Sequence, residues 1–175
     1  LGDVYKRQAK IVLDMDKNAV GPLLTMLHGE EEYKTAFISA QEALLEADSR
    51  TLLVVVDTNR PEQVEDESLL TACSNRLAVI DHHRRAATYI KNATLTLYEP
   101  NASSTCELVT ELIQELCEPT DILPFEADAV LSGIVLDTKN FTIRTGDRTF
   151  DAAAFLRRSG ADTTRVKKLF QNGME

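Results

Sequence analysis

The chain has 175 residues, 43% of them hydrophobic and 27% charged, and its 19 Lys and Arg against 28 Asp and Glu leave a net charge of −9. That length supports one domain with a real core, and the acidic balance argues against duplex nucleic acid as a partner, because backbone binding depends on neutralising phosphates. No apolar run approaches the ~20 residues that cross a bilayer, residues 1–8 contain no signal-peptide core, and Cys73, Cys106 and Cys117 form no CxxC pair, which suits a reducing cytoplasmic setting.

Residues 1–8 show no pattern and are left unassigned, while residues 9–13 read as a short strand. Over residues 18–28, Leu23, Leu24 and Leu27 recur at helical spacing, and Gly29 supplies a stop. His28 closes that helix, where a protonated imidazole favours the dipole, and it reads as structural. Residues 35–38 suggest another short strand, and Ser39 caps a helix through Ala47, with Glu42 in the third position of a capping box. Leu52-Leu53-Val54-Val55-Val56-Asp57 reads as a buried strand ending in a carboxylate. Pro61 blocks its continuation, and an acidic segment leads into a helix near residues 69–73.

Leu77-Ala78-Val79-Ile80-Asp81-His82-His83 repeats the form, a buried strand ending in a carboxylate and two imidazoles. Residues 93–98 alternate like a strand, and residues 101–105 open a helix with Leu108, Leu112, Ile113 and Leu116 on one face and Cys106 and Cys117 as small residues on it. Pro119 and Pro124 mark a loop. The apolar segment 125–136 is too long for a typical strand and reads as a buried helix ending at Asp137-Thr138-Lys139-Asn140. Two further helices are expected at residues 150–156 and 166–170. Strands alternating with helices predict an α/β fold, a mostly parallel sheet flanked by helices on both faces, in one domain over residues 9–175.

In such a sheet, ligands bind beyond the carboxyl ends of the strands. Asp57, Asp81, His82 and His83 therefore share a rim, and their oxygen and imidazole donors suit Mn, Fe, Zn or Mg. A turn-forming Asp explains Asp57 in isolation. Its pairing with Asp-His-His favours a ligand. Adjacent His82 and His83 cannot both enter one pocket from a regular strand, so the backbone is expected to leave strand geometry there, one imidazole holding metal and the other contacting phosphate. Asp137 sits unfavourably at a helix C-terminus, which a nearby cation would compensate. Ser103 and Ser104 lie at a donor-rich helix start that suits an anion, with ordinary N-capping as the plainer explanation. Arg144 and Arg148, around the Thr145-Gly146-Asp147 turn, either clamp a phosphate on this rim or face solvent.

Three of these stretches resemble the motifs of the DHH phosphoesterases. Val54-Val55-Val56-Asp57-Thr58-Asn59-Arg60-Pro61 resembles the second motif, Val79-Ile80-Asp81-His82-His83-Arg84-Arg85 the signature third, and Gly133-Ile134-Val135-Leu136-Asp137-Thr138-Lys139-Asn140-Phe141 the fourth. Residues 99–107 and 144–153 are similar to the membrane-anchored GGDEF–DHH cyclic-di-AMP phosphodiesterases of that family. The resemblance implies two divalent metal ions, Mn2+ by family habit, with Asp57 bridging them and His82 and Asp137 completing the coordination of the second metal. It implies that His83 contacts the scissile phosphate, that Asp81 orients the neighbouring His, and that a cyclic dinucleotide is opened to its linear form. The family's first motif, His-x-x-x-Asp-x-Asp, is expected upstream of residue 11; Asp14-Met15-Asp16 mimics its acidic pair with no His at the right spacing. The resemblance thus implies an interior piece of a larger enzyme, nearly inactive alone and making no membrane contact, whose parent is membrane-attached with its catalytic part in the cytoplasm and is compatible with a homodimer. Short oligonucleotides or nucleotide phosphates as substrates, or cyclic-dinucleotide binding without cleavage, are the rival expectations.

Overall fold

In the computed structural model, which describes residues 9–14 and 21–171, strands and helices alternate as far as the strand Leu77–Asp81, after which another strand follows directly and four α-helices come in succession. The order is β1 (Ile11–Val12), α1 (Gly21–His28), β2 (Phe37–Ile38), α2 (Ala40–Glu46), β3 (Leu53–Val56), α3 (Ser68–Ala72), β4 (Leu77–Asp81) and β5 (Leu95–Tyr98). The helices α4 (Thr105–Leu116), α5 (Pro124–Asp137), α6 (Asp147–Arg158) and α7 (Thr163–Gln171) follow. Residues 1–8, Met15 and Asp16, and the expected helix start at residues 18–20 lie outside the described residues.

Every described ladder is parallel. The strands form two sheets, β1 with β2 and β3-β4-β5 with β4 central; the expected parallel sheet is present but divided. Successive side chains of β4 point to opposite faces, and both faces are covered. Val79 packs with Val55, Leu77 and Ile90 on one side, where Leu70 of α3 joins them. Ile80 packs with Ala102 and Leu108 on the other, under α4. Leu131, Ile134, Phe155, Leu156 and Val166 form a further core among α5, α6 and α7. The capping box on α2 forms as the sequence indicates: Ser39 Oγ accepts from Glu42 N at 3.2 Å, and Glu42 Oε2 accepts from Ser39 N at 2.8 Å.

The buried face of α4 differs from the expected one. Thr105, Glu107, Leu108 and Thr110 are buried, whereas Leu112 and Leu116 are exposed, Leu116 by 72%. The first turns of α4 are enclosed by β4, α5 and α6, and there the enclosed polar side chains have hydrogen-bond partners inside the protein, as burial requires. Apolar periodicity does not register a buried face made of satisfied polar groups.

Helices α4 and α5 approach closely at Gly133. A Cβ placed there would overlap Cys106 Sγ and lie 3.2 Å from Cys106 Cβ. That contact places the end of α5 against the beginning of α4. Gly133→Ala is expected to destabilise the protein by about 1–3 kcal/mol through overpacking, and the double variant Gly133→Ala/Cys106→Ala should recover most of that loss. Urea denaturation of the four proteins in the cycle checks it.

Candidate metal centre

Asp57 is the first residue beyond β3. Its amide donates to Ile80 O at 3.0 Å, and its φ of +64° is left-handed, a region that Asp tolerates better than most residues. Because β3 pairs with β4 in the register Val56 to Ile80, Asp57 lies beside the end of β4. The strand stops at Asp81, so His82 and His83 escape strict alternation and bring their rings to 4.4 Å between centroids. His82 Nε2 is 3.6 Å from Asp57 Oδ1 and 3.5 Å from Asp137 Oδ2; His83 Nδ1 is 4.0 Å from Asp57 Oδ1. One ligand atom from each of Asp57, His82 and His83 lies within 4.8 Å of the others.

The groups behind this rim fix its orientation. Asp81 is fully buried. Its Oδ1 accepts from the His83 amide at 3.1 Å and pairs with His83 Nδ1 at 2.7 Å, while Oδ2 accepts from Asn59 Nδ2 at 2.6 Å. Asn59 Oδ1 in turn accepts from Ala86 N at 3.0 Å, which ties the loop after β3 to the loop after β4. His82 is buried, with Nδ1 3.4 Å from Ala102 O. An Nδ1 proton shared with that carbonyl leaves Nε2, the atom facing Asp57 and Asp137, as the lone-pair donor.

Asp137 ends α5 and is half-buried. Burial pushes its carboxyl above the ordinary range, Asp57 adds to the shift, and His82, His83 and Arg144 oppose it. The chain then reverses through Lys139, Asn140 and Phe141, all at positive φ. Buried Thr138 holds that turn, donating to Ile134 O at 2.6 Å and accepting from Phe141 N at 2.9 Å.

The other expected site residues divide. Arg144 is exposed and near enough to Asp137 to favour its anion. Arg148 grips Glu111 through two 2.7 Å bonds, with Glu99 and Glu107 each 3.9 Å away. Ser103 and Ser104 are 1% exposed. Ser104 Oγ caps α4 by accepting from Glu107 N at 3.0 Å, and Ser103 Oγ donates to Glu107 Oε2 at 2.5 Å. In this structure carboxylates engage Arg148 and Ser103, and Ser104 caps the helix, the plainer of the two expectations for its start. Asn59, Thr105 and Glu107 were given no part by the sequence. Asn59 and Thr105 lie within motif-like stretches, two positions past a strand-end Asp and one past a cap Ser, the signals that could have pointed to them.

The donor set suits a divalent cation. An imidazole nitrogen stands 3.6 Å and 3.5 Å from oxygens of two carboxylates, and burial, with Asp57 adding to it, raises the Asp137 carboxyl pKa. A carboxyl whose folded-state pKa is raised binds more protons folded than unfolded, so the metal-free protein loses this contribution as pH rises through the folded value. Asp137→Asn should therefore match or exceed the wild-type Tm without metal and flatten that pH dependence. It should also reduce the Mn2+-induced rise in Tm by more than half. Thermal unfolding with and without Mn2+, from acid to neutral pH, measures both.

Residues 6–134 match the family model described as the DHH family, N-terminal domain. The cyclic-di-AMP phosphodiesterase GdpP of Bacillus subtilis (strain 168) is 44% identical over 165 residues, covering 92% of this chain and 25% of that protein. The cyclic-di-AMP phosphodiesterase PdeA of Listeria monocytogenes serotype 1/2a (strain 10403S) is 42% identical over 175 residues, covering 98% of this chain and 26% of that protein. The chain thus spans about a quarter of the length of these relatives. Among solved structures, an exopolyphosphatase-related protein from Bacteroides fragilis superposes with a TM-score of 0.67 at 24% identity, covering 87% of this chain and 45% of that one. With the strand-end carboxylates and the Asp81-His82-His83 signature where the fold brings them together, the chain belongs to the DHH family and carries its N-terminal domain.

Proposed function

We propose that this chain supplies part of the catalytic centre of a metal-dependent phosphodiesterase that opens cyclic di-AMP to linear pApA. The observation that carries the reading is the convergence of Asp57, His82 and Asp137 on one rim, with His82 Nε2 within 3.6 Å of both carboxylates. The substrate follows from the relatives, which are named as cyclic-di-AMP phosphodiesterases. The reading extends to two Mn2+ ions, to a longer parent attached to the membrane with this domain in the cytoplasm, and to a homodimer of that parent.

Asp57, His82 and Asp137 are the residues that would hold metal. A divalent cation there supplies Lewis-acid polarisation of the phosphate and acidifies water near neutral pH. The protein's own part is orientation and proton placement. Asp81, by holding His83 Nδ1 at 2.7 Å, turns the opposite nitrogen of the half-exposed ring toward an incoming phosphoryl oxygen. His83 so oriented hydrogen-bonds the phosphate as charge builds on it. In the hydrolysis, a water oxygen joins phosphorus, the P–O3′ bond breaks, and a proton ends on O3′. Arg144, on the same rim, adds positive charge for the anionic substrate.

The test is conversion of cyclic di-AMP to pApA with Mn2+ by the chain in its native reading frame, wild type against His82→Ala. Loss of a metal ligand should lower turnover about 100-fold or more, in line with the several kcal/mol that metal activation contributes. Equal turnover by the two proteins, or turnover indifferent to chelator, overturns the proposal.

A further inference from the structure

A polar clasp at the start of α4 meets the candidate metal centre at two points. Thr105 Oγ1 donates to Asp57 Oδ1 at 2.9 Å. Ala102 O lies 3.4 Å from His82 Nδ1. Glu107, two residues past Thr105 and only 1% exposed, closes back on the segment at Ser103. Its Oε2 accepts from Ser103 Oγ at 2.5 Å, Ser103 N at 3.3 Å and Thr149 Oγ1 at 2.6 Å. Thr149 also accepts from Gly146 N at 3.1 Å, so α6 is tied into the same knot. A buried carboxylate with three donors is a rigid joint, because each lost bond removes part of what offsets the cost of burying its charge.

We infer that Thr105 is a positioning residue for the metal centre, aiming the Asp57 carboxylate through its hydroxyl, and that Glu107 holds Thr105 in place. The chemistry requires such a hold. Asp57 is the least buried of the rim carboxylates, with a side chain 58% exposed, and Thr105 is the neutral donor that selects one of its rotamers. A hydroxyl donor suits this place because it orients the anion without competing for the cation. Groups that orient metal ligands from behind are worth about 10–100-fold in metal affinity.

The inference rests on the metal reading above, and its test separates the two. Mn2+ affinity is measured by calorimetry for the wild-type chain, Thr105→Val, Thr105→Ser and Glu107→Gln, with Tm recorded without metal. Thr105→Val, equal in shape but lacking the hydroxyl, should bind Mn2+ about 10-fold more weakly or worse. Thr105→Ser should restore affinity to within about 3-fold of wild type, because it returns the donor. Glu107→Gln should weaken binding with Thr105 unchanged, which keeps the inference testable if Thr105→Val does not fold. Wild-type affinity in Thr105→Val or in Glu107→Gln overturns the inference alone, as does an equal loss in Thr105→Val and Thr105→Ser. A wild-type chain without measurable Mn2+ binding overturns the metal reading together with it.

Discussion

The parallel register of β3 on β4 is the constraint from which the site follows. Val56 opposes Ile80, and the ladder continues one step further through the Asp57 amide to Ile80 O. Parallel strands end at the same side of a sheet, so the two acidic strand ends come side by side. A slip of one residue would exchange the faces of every side chain on the moving strand. Val55 and Val79, both packed in one apolar cluster, make such a slip costly. The apolar residues of the sheet thus place the polar groups that follow them.

Around that rim the protein holds like charges together with neutral donors. Asp81 receives Asn59 and the His83 amide, and Asp57 receives Thr105. Neutral donors satisfy carboxylate oxygens without cancelling their charge, so the anionic field remains directed outward. Arg148 marks the contrast: three glutamates surround it, and its role is to tie α6 to α4. Asp137 lacks such a donor among the described bonds, and burial, with Asp57 beside it, raises its carboxyl pKa.

Most of the fold was legible because it is written in local patterns. Leu77 to Ile80 is apolar without interruption, and a strand buried on both faces results. The Ser39 and Glu42 pair announces a helix start, and the start forms there. The rim residues were legible as strand endings and as a motif, including the break in geometry that two adjacent imidazoles demand. What was not legible depends on partners distant in the chain. Glu107 reads as one more helix-surface acid until Thr149, 42 positions later, folds onto it. Leu116 reads as core until α4 outruns the layer that covers its first turns. The division of the strands into two sheets likewise depends on which strand edges meet, which no run of residues records.

The left-handed backbone at Asp57 limits what evolution can do at that position. Few side chains accept such a φ, and Asn, the amide twin of Asp, is foremost among them. Asparagine and aspartate codons differ by a single base. A substitution there would leave the main chain at ease and the sheet intact while stripping the anion from the rim. One base change therefore separates the anionic rim from an equally well-folded domain that lacks this carboxylate.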